Sequence, residues 1–218
     1  MAKLKDRTGE SRTMNNGLQA TIVQYRGKED IDLQFENGEI ICGMAYSNYK
    51  RGQIACPLII DCVGNGAAIV TNPNCKPAVT FIIDEDDIPF VSSYWWSLDR
   101  HGYAKNSHTG IRVHRIVMNA KDDDVIDHID GNPLNNRKEN LRICTQFDNQ
   151  KNRGANKNNK SGYKGVCWNS EKKKWTTQLF SNGRRVYCKH FDDKETAARA
   201  YNEAALKHHG EFAKLNEI

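Results

Sequence analysis

At residues 125–137 the sequence reads Val-Ile-Asp-His-Ile-Asp-Gly-Asn-Pro-Leu-Asn-Asn-Arg, and this stretch decides the fold of the central region. It begins as a β-type run and then breaks into a loop of turn-forming residues. Asn140 to Cys144 can form a short returning strand, and Thr145 can cap a helix from Gln146 to about Asn152. The order of strand, loop, strand and helix predicts a compact ββα hairpin.

Polar side chains of this hairpin suit metal-assisted hydrolysis. Asp127 on the first strand and Asn149 on the helix can share one divalent ion through oxygen atoms, which favours Mg²⁺ or Mn²⁺ over zinc. His128 titrates near neutral pH and can take a proton from an attacking water. Asn140 can bond either His128 or the loop backbone and so orient the imidazole. The alternative is that Asp127, Asn140 and Asn149 only cap turns and a helix.

Three linked blocks stand out in this region: Asp127-His128-Ile129-Asp130-Gly131-Asn-x-Leu-Asn-Asn-Arg, Glu139-Asn140-Leu141-Arg142 and Asp148-Asn149-Gln150. Together they resemble the HNH endonucleases of phage and intron origin, and the upstream segment from residue 79 also matches. The resemblance implies single-metal hydrolysis of DNA, with Asp127 and Asn149 as metal ligands, His128 as general base and Asn140 as the structural middle residue. The last residue of the motif is Asn rather than His, which keeps an oxygen ligand.

A His-Arg pair, His114 and Arg115, precedes the motif. In the family that the motif resembles, a matching pair lies near the site. The resemblance therefore makes His114 a further catalytic candidate and Arg115 a DNA-binding candidate. The residues themselves leave two alternatives open, which are contact with a phosphate and packing in the core.

Positive charge is concentrated at the C-terminal end of the chain. Residues 151–218 contain 15 Lys and Arg against 7 Asp and Glu, whereas residues 1–150 contain 17 against 20. Such an excess favours a polyanionic partner, because each neutralised phosphate releases counterions. Simple solubility is the alternative. From Ser161 onward the pattern predicts three strands and a helix, with Ser181-Asn182-Gly183 as the tight turn between the second and third strands.

This basic region resembles the AP2 DNA-binding domain over residues 160–216. The resemblance is carried by Ser-Gly-Tyr-Lys-Gly-Val from residue 161, Lys-Lys-Trp-Thr-Thr from residue 173 and Gly-Glu-Phe-Ala-Lys-Leu-Asn from residue 210. We expect the helix to cover one face of the sheet and to leave the other face free for duplex DNA. The candidates on that free face are Lys164, Lys174, Arg184, Arg185 and Tyr187.

The N-terminal part predicts a small β module. Short β-type runs alternate with turns over residues 18–60, and Asn37-Gly38 is a strong hairpin signal. The pattern resembles a small, roughly SH3-like β-barrel that recurs in phage and bacterial proteins. The predicted class is α+β, with three modules in chain order. The predicted segments are a flexible basic terminus (1–16), the β-barrel-like module (17–60), a linker (61–78), an HNH ββα-metal nuclease domain (79–153), a second linker (154–160) and an AP2-like three-stranded sheet packed on one helix (161–218).

Composition argues against several classes of protein. The longest apolar runs are far too short to span a bilayer, and no apolar segment of a secretory signal follows the basic residues near Met1. We therefore expect no membrane partner and a cytoplasmic location in a bacterial host cell, where a phage is one potential source of the gene. The seven cysteines form no Cys-x-x-Cys pair, so we expect reduced thiols and no structural zinc.

Together these features predict a site-directed DNA endonuclease that resembles homing endonucleases. It would hydrolyse a phosphodiester in double-stranded DNA with one divalent metal ion, as a monomer or weak dimer that either nicks or cuts both strands. The alternative is a regulator that binds DNA through the AP2-like module without cutting. A structural or phage-assembly role is a third possibility that the basic excess favours less.

Overall fold

The computed structural model describes residues 6–156 and 158–218. Within these residues the protein is a mixed α+β chain with several small antiparallel sheets and five α-helices, which confirms the predicted class. The described residues form two compact units. The first runs up to Asn119 and also includes Pro133–Lys138, and the second comprises Ala120–Asn132 and Glu139–Ile218.

The first unit begins with a four-stranded antiparallel sheet in the order β1-β2-β3-β4. The predicted Asn37-Gly38 turn joins β3 to β4. Ile31, Leu33 and Phe35 alternate along β3 and are buried on one face. Helix α1 (Tyr46–Arg51) packs Tyr46 and Tyr49 into the same core. The strands are β1 (Ser11–Thr13), β2 (Gln19–Gly27), β3 (Asp30–Phe35) and β4 (Ile40–Met44).

This N-terminal sheet differs from the closed barrel that the sequence predicted. In the described part of the chain β1 and β4 are the two outer strands, so the sheet is open. The physical reason is that α1 covers the apolar face. Tyr49 is fully buried there, and its hydroxyl donates to the backbone oxygen of Glu10 at 2.8 Å. A helix therefore completes the core without strand closure.

The predicted flexible terminus over residues 1–16 is only partly described, because Met1–Lys5 lie outside the described residues. Ser11–Thr13 form β1 and pair with Gln19–Thr21 on β2, and Met14 is buried. The prediction was wrong for residues 11–14, since backbone pairing and an apolar anchor order them.

The predicted irregular linker over residues 61–78 contains a hairpin. Strands β5 (Ile59–Gly64) and β6 (Ala67–Asn72) pair with each other, and β6 pairs with β7 (Val79–Asp84). Asn65 and Gly66 form the turn with positive φ angles of 54° and 65°. These turn residues therefore connect two strands, as the Asn-Gly pair does in tight hairpins. Of residues 154–160, those that are described form no helix or strand.

The rest of the first unit includes the middle of the motif loop, Pro133–Lys138. It contains α2 (Ile88–Val91), β8 (Trp96–Leu98), β9 (Ala104–Asn106) and α3 (Val113–Val117). The middle of the motif loop runs along β7. There the backbone N–H of Ile82 donates to the Leu134 carbonyl, and the N–H of Asn136 donates to the Ile82 carbonyl, at 2.8 Å each. Arg137 Nε also donates to Asp84 Oδ1 at 3.0 Å.

The second unit contains the predicted ββα hairpin. Strands β10 (Val125–His128) and β11 (Leu141–Cys144) pair antiparallel, and α4 (Gln146–Lys151) follows. The hydroxyl of Thr145 caps α4 by accepting from the Asp148 backbone N–H at 3.1 Å. The strand, loop, strand and helix order is therefore confirmed.

The same unit contains a three-stranded sheet with a helix on one face. The sheet order is β12 (Val166–Asn169), β13 (Lys174–Ser181) and β14 (Arg184–Phe191). Helix α5 (Lys194–His209) is capped by Asp193 and buries a stripe of alanines and Tyr201 against it. Gly165 needs its small size, because a Cβ there would overlap the Tyr201 ring. A short 3₁₀ turn, Gly210–Phe212, follows α5.

None of the helices in the described ranges has the length and apolar character needed to cross a bilayer.

Candidate active site

Asp127 lies at the centre of the site and is 4% exposed. Its strand pairs with β11 so that Asp127 is directly opposite Arg142. The Nε and Nη2 atoms of Arg142 donate to Asp127 Oδ2 at 2.9 and 2.7 Å. The Nδ2 atom of Asn152 donates to Asp127 Oδ1 at 3.0 Å. Both oxygens of this buried carboxylate are therefore fixed by charged or amide donors.

His128 ends β10, is buried, and is followed by a loop that Asn140 organises. The backbone N–H of Ile129 donates to the Asn140 carbonyl at 2.9 Å. Asn140 Oδ1 accepts from the Asp130 backbone N–H at 3.0 Å, and its Nδ2 donates to Asp130 Oδ1 at 2.9 Å. Asn140 thus bonds the loop backbone directly after His128, which is one of the two contacts that the sequence suggested.

Asn149 lies on α4 and is half-buried. Asn152 comes three residues later, at the C-cap of α4, so helical spacing places the two side chains on the same face of the helix. Asn152 contacts β10 directly: besides bonding Asp127, its Nδ2 donates to the His128 carbonyl at 2.8 Å. Asn152 was not predicted from the sequence as a site residue. The available signal was its spacing of three from Asn149 at the end of a predicted helix.

His114 and Arg115 lie on α3 in the first unit. His114 is 6% exposed, and its ring meets Tyr103 edge-on with 5.2 Å between ring centroids. Arg115 lines a surface cleft of about 540 Å³, which we call the basic cleft. The other members of this cleft were not predicted from the sequence, since they come from separate segments, namely the turn after β8, β9 and the start of α3. Its charged and polar lining residues are Asp99, Arg100, His101, Lys105, Arg112 and Arg115.

Asp99 is the acidic member of the basic cleft. Arg112 Nη2 lies 2.7 Å from its Oδ2 atom. Burial opposes ionisation of Asp99, but bonds from the Tyr103 and His101 backbone N–H groups and from Arg112 together lower its pKa. Asp99 compensates one of the four Lys and Arg side chains that line the cleft, so the cleft keeps an excess of positive charge.

Comparison with known proteins identifies the central region. The family model described as HNH endonuclease matches residues 112–151. A protein of Acanthamoeba polyphaga mimivirus, named as an uncharacterised HNH endonuclease, is 34% identical over 140 residues, which cover 61% of this chain and 72% of that protein. The chain belongs to the HNH endonuclease family. Protein 3.8 of Escherichia phage T7 is 37% identical to this HNH endonuclease over 90 residues, covering 41% of the chain and 74% of the phage protein.

The comparisons also identify the C-terminal region of this HNH endonuclease. The AP2 domain model matches residues 161–211. An AP2-like ethylene-responsive transcription factor of Arabidopsis thaliana is 34% identical over 69 residues, which cover 32% of this chain and 14% of the plant protein. No solved structure matches the chain significantly.

HNH nucleases generally use a divalent metal, and the residues at Asp127 fit such an ion. In the described ranges no three His, Cys, Asp or Glu side chains converge as ligands, and Asp127 is the carboxylate of the hairpin to consider. A carboxylate has about four acceptor positions. Asp127 Oδ1 accepts from Asn152 alone among the described residues, which leaves room for one metal bond. Such hard oxygen donors suit Mg²⁺ or Mn²⁺.

The sheet of the AP2 domain has one face covered by α5 and one open face turned away from it. Thr177 Oγ1 donates to the Ala197 carbonyl on α5 at 2.7 Å, which marks the covered face. Lys174 lies an odd number of residues away and so belongs to the open face, where it pairs with Asp192 at 3.1 Å. Arg185 is exposed on the open face opposite Phe180, and Arg184 is exposed beside the Asn182-Gly183 turn.

Tyr187 lies on the face of the sheet that α5 covers, whereas the sequence predicted it on the free face. It lies opposite Leu179 and packs against the α5 core, where burial raises its pKa. The reason is a β-bulge between Leu179 and Phe180, which breaks the alternation that would place Tyr187 with Arg185. The predicted placement of Tyr187 on the free face was therefore wrong.

Lys164 also lies away from the open face. Its amine donates to the backbone oxygen of Lys151 at the end of α4. It lines a cleft of about 390 Å³ together with Phe147 and His209. Burial, with contributions from Lys214 and Arg153, lowers the pKa of Lys164 to about 8. Its predicted position on the sheet surface was wrong, because the residue precedes β12 and turns toward α4.

Proposed function

We propose that this HNH endonuclease hydrolyses a phosphodiester in double-stranded DNA with one divalent metal ion, at a site selected by its AP2 domain, in the manner of a homing endonuclease. The carrying observation is the arrangement at the end of β10. Asp127 is buried and fixed from two sides by Arg142 and Asn152, and the next residue in the chain, His128, is buried at the end of the same strand. A carboxylate fixed in this way, followed in the sequence by a histidine, suits one-metal hydrolysis better than a turn-capping role.

Asp127 and Asn149 would hold the Mg²⁺ or Mn²⁺ ion. When bound, the ion supplies a positive charge that stabilises the negative charge developing on the phosphate and on the departing 3′ oxygen. Asn152 contributes by fixing the end of α4 to β10, which supports the distance between the two proposed ligands.

His128 is the proposed general base. Its imidazole nitrogen takes a proton from water as the water oxygen bonds to phosphorus, and the bond from phosphorus to the leaving oxygen breaks. Asn140 is a positioning residue, since its bonds to Asp130 support the loop after His128. For His114, burial and the contact with Tyr103 favour a packing role over direct phosphate contact.

DNA binding is proposed for two basic surfaces. On the AP2 domain, Lys174, Arg184 and Arg185 remain candidates on or beside the open face, whereas Lys164 and Tyr187 do not. In the first unit, the basic cleft with Arg115 suits phosphates. The relative in phage T7 supports action in the cytoplasm of a bacterial host. A monomer or weak dimer remains our proposal for the assembly.

The test is incubation of the purified full chain with supercoiled plasmid and with phage or host genomic DNA, in Mg²⁺, Mn²⁺ or EDTA. We expect metal-dependent cleavage by the wild type and none by Asp127→Ala. Nicked circles would indicate single-strand cleavage, and linear DNA would indicate a double-strand break. Binding without cleavage in any metal would overturn the nuclease mechanism and favour a DNA-binding regulator.

A further inference from the structure

The Gly210–Phe212 turn, at the end of the AP2 domain, contacts Arg142, the residue that binds Asp127. We infer that Gly210–Phe212 is a positioning element of the nuclease centre, because it fixes the Arg142 guanidinium that in turn fixes Asp127. The inference rests on the proposed role of Asp127. It assigns to the AP2 domain a second task besides DNA binding, which is to complete the nuclease site.

The guanidinium of Arg142 binds two partners, Asp127 and the turn after α5. Two nitrogens bond Asp127 Oδ2, as described above, and the third, Nη1, donates to the Glu211 carbonyl at 2.8 Å. The Phe212 ring lies under the guanidinium, with 3.8 Å from Cζ to the ring centroid. The Arg142 side chain is only 14% exposed. The turn after α5 therefore adds one hydrogen bond and one stacking contact to those that hold the guanidinium within the hairpin.

A second contact joins the same two segments. Lys214 Nζ donates to the Asp130 carbonyl at 3.2 Å, in the loop that follows His128. The C-terminal segment thus contacts the nuclease hairpin at two places, the loop after β10 and Arg142 on β11. The β10–β11 register alone places Arg142 opposite Asp127, but a long side chain has many rotamers. Stacking and the third hydrogen bond select one of them.

Hydrogen exchange in the metal-free protein tests the contact directly. In Phe212→Ala we expect the backbone amides of Asp127 and Ile129, which face β11 in the hairpin, to exchange about 5-fold faster, because a partly buried cation–π contact is lost. The matched control is Leu206→Ala, an apolar truncation in the same domain at a side chain that is 55% exposed. It should leave those amides unchanged. Phe212→Leu keeps apolar bulk and serves if Phe212→Ala does not fold, with the same direction of change.

Mn²⁺ binding measured by calorimetry provides the second readout. We expect Phe212→Ala to raise the Kd for Mn²⁺ about 10-fold, as residues that orient a metal ligand do. Arg142→Lys removes the planar fork, so the effect of Phe212→Ala should shrink in the Arg142→Lys background. A general loss of stability would instead act equally in both backgrounds.

The outcomes separate the inference from the proposed function. Faster exchange and weaker Mn²⁺ binding in Phe212→Ala, with neither in Leu206→Ala, support the inference. Exchange rates in Phe212→Ala and Phe212→Leu that match Leu206→Ala overturn it, whatever the metal result. Faster exchange with no Asp127-dependent Mn²⁺ binding by the wild type supports the positioning contact and overturns the proposed metal site.

Discussion

Asp127 and Arg142 lie directly opposite each other in the β10–β11 hairpin, and two guanidinium nitrogens bond the same carboxylate oxygen. The pair is almost completely enclosed, with side-chain exposures of 5% and 14%. Removing one partner of such a pair leaves the other charge buried without compensation. The stability of the hairpin and the shape of the candidate site are therefore coupled.

Arg142→Ala should destabilise the protein by about 3–5 kcal/mol, because Asp127 would be left as an uncompensated buried charge. Urea unfolding monitored by circular dichroism measures the change. Arg184→Ala, at an exposed arginine beside the sheet turn, is the matched control and should stay within about 0.5 kcal/mol of the wild type. Equal losses in the two variants would contradict the assigned importance of the buried pair.

Alanine substitutions at Asn149 and Asn152 should have different effects, because Asn149 is the proposed metal ligand and Asn152 is a structural residue. Asn152→Ala removes the donor to Asp127 and to the His128 carbonyl, and should cost about 1–3 kcal/mol of stability. Asn149→Ala should weaken Mn²⁺ binding with little change in stability. Unfolding curves and calorimetric Mn²⁺ titration on both variants make the comparison. The assignment fails if Asn149→Ala binds Mn²⁺ as tightly as the wild type.

Arg185 and Tyr187 should behave differently in DNA binding, although they are two residues apart. Arg185→Ala removes a cation from the open face and should weaken binding by about 1–3 kcal/mol if it reads a base, or reduce the salt dependence by about one unit if it contacts a phosphate. Tyr187→Phe alters only the covered face and should leave affinity unchanged. Fluorescence anisotropy with duplex DNA at several salt concentrations measures both. A loss of affinity in Tyr187→Phe would contradict the face assignment.

The lowered pKa of Lys164 should make the stability of the protein depend on pH. Its pKa is lowered to about 8 in the folded protein, below the ordinary value near 10.5, so the unfolded chain binds more protons between these values. The contribution of Lys164 to stability therefore rises as the pH increases from about 8 to about 10.5. The unfolding free energy of Lys164→Met relative to the wild type should fall across this window. A pH-independent difference between the two proteins would contradict the buried position of the amine.

Local sequence signals predicted the ββα hairpin and the AP2 helix. Thr145 caps a helix where the sequence placed it, because a cap depends on neighbours within three residues. The Asn37-Gly38 turn was predictable for the same reason. The hairpin at Asn65-Gly66 was missed because glycine and proline around it also fit an irregular linker.

Contacts between distant segments could not be read from the sequence. Asn152 and Phe212 gain their significance only when α4 and the turn after α5 meet the β10–β11 hairpin. Tyr187 was placed on the wrong face because one bulged residue in β14 changes the alternation, and such a bulge leaves little local signal. The N-terminal sheet stays open because α1 covers its apolar face, which is a tertiary effect.

The role of His128 as general base is tested by single-turnover cleavage of a duplex by the wild type and by His128→Ala, in Mg²⁺ or Mn²⁺. The duplex is first mapped as a substrate, and binding of both proteins is measured beforehand. We expect equal DNA binding and a loss of cleavage rate in His128→Ala of about 100-fold or more, because a general base is removed. Equal cleavage rates for the two proteins would rule out His128 as the base.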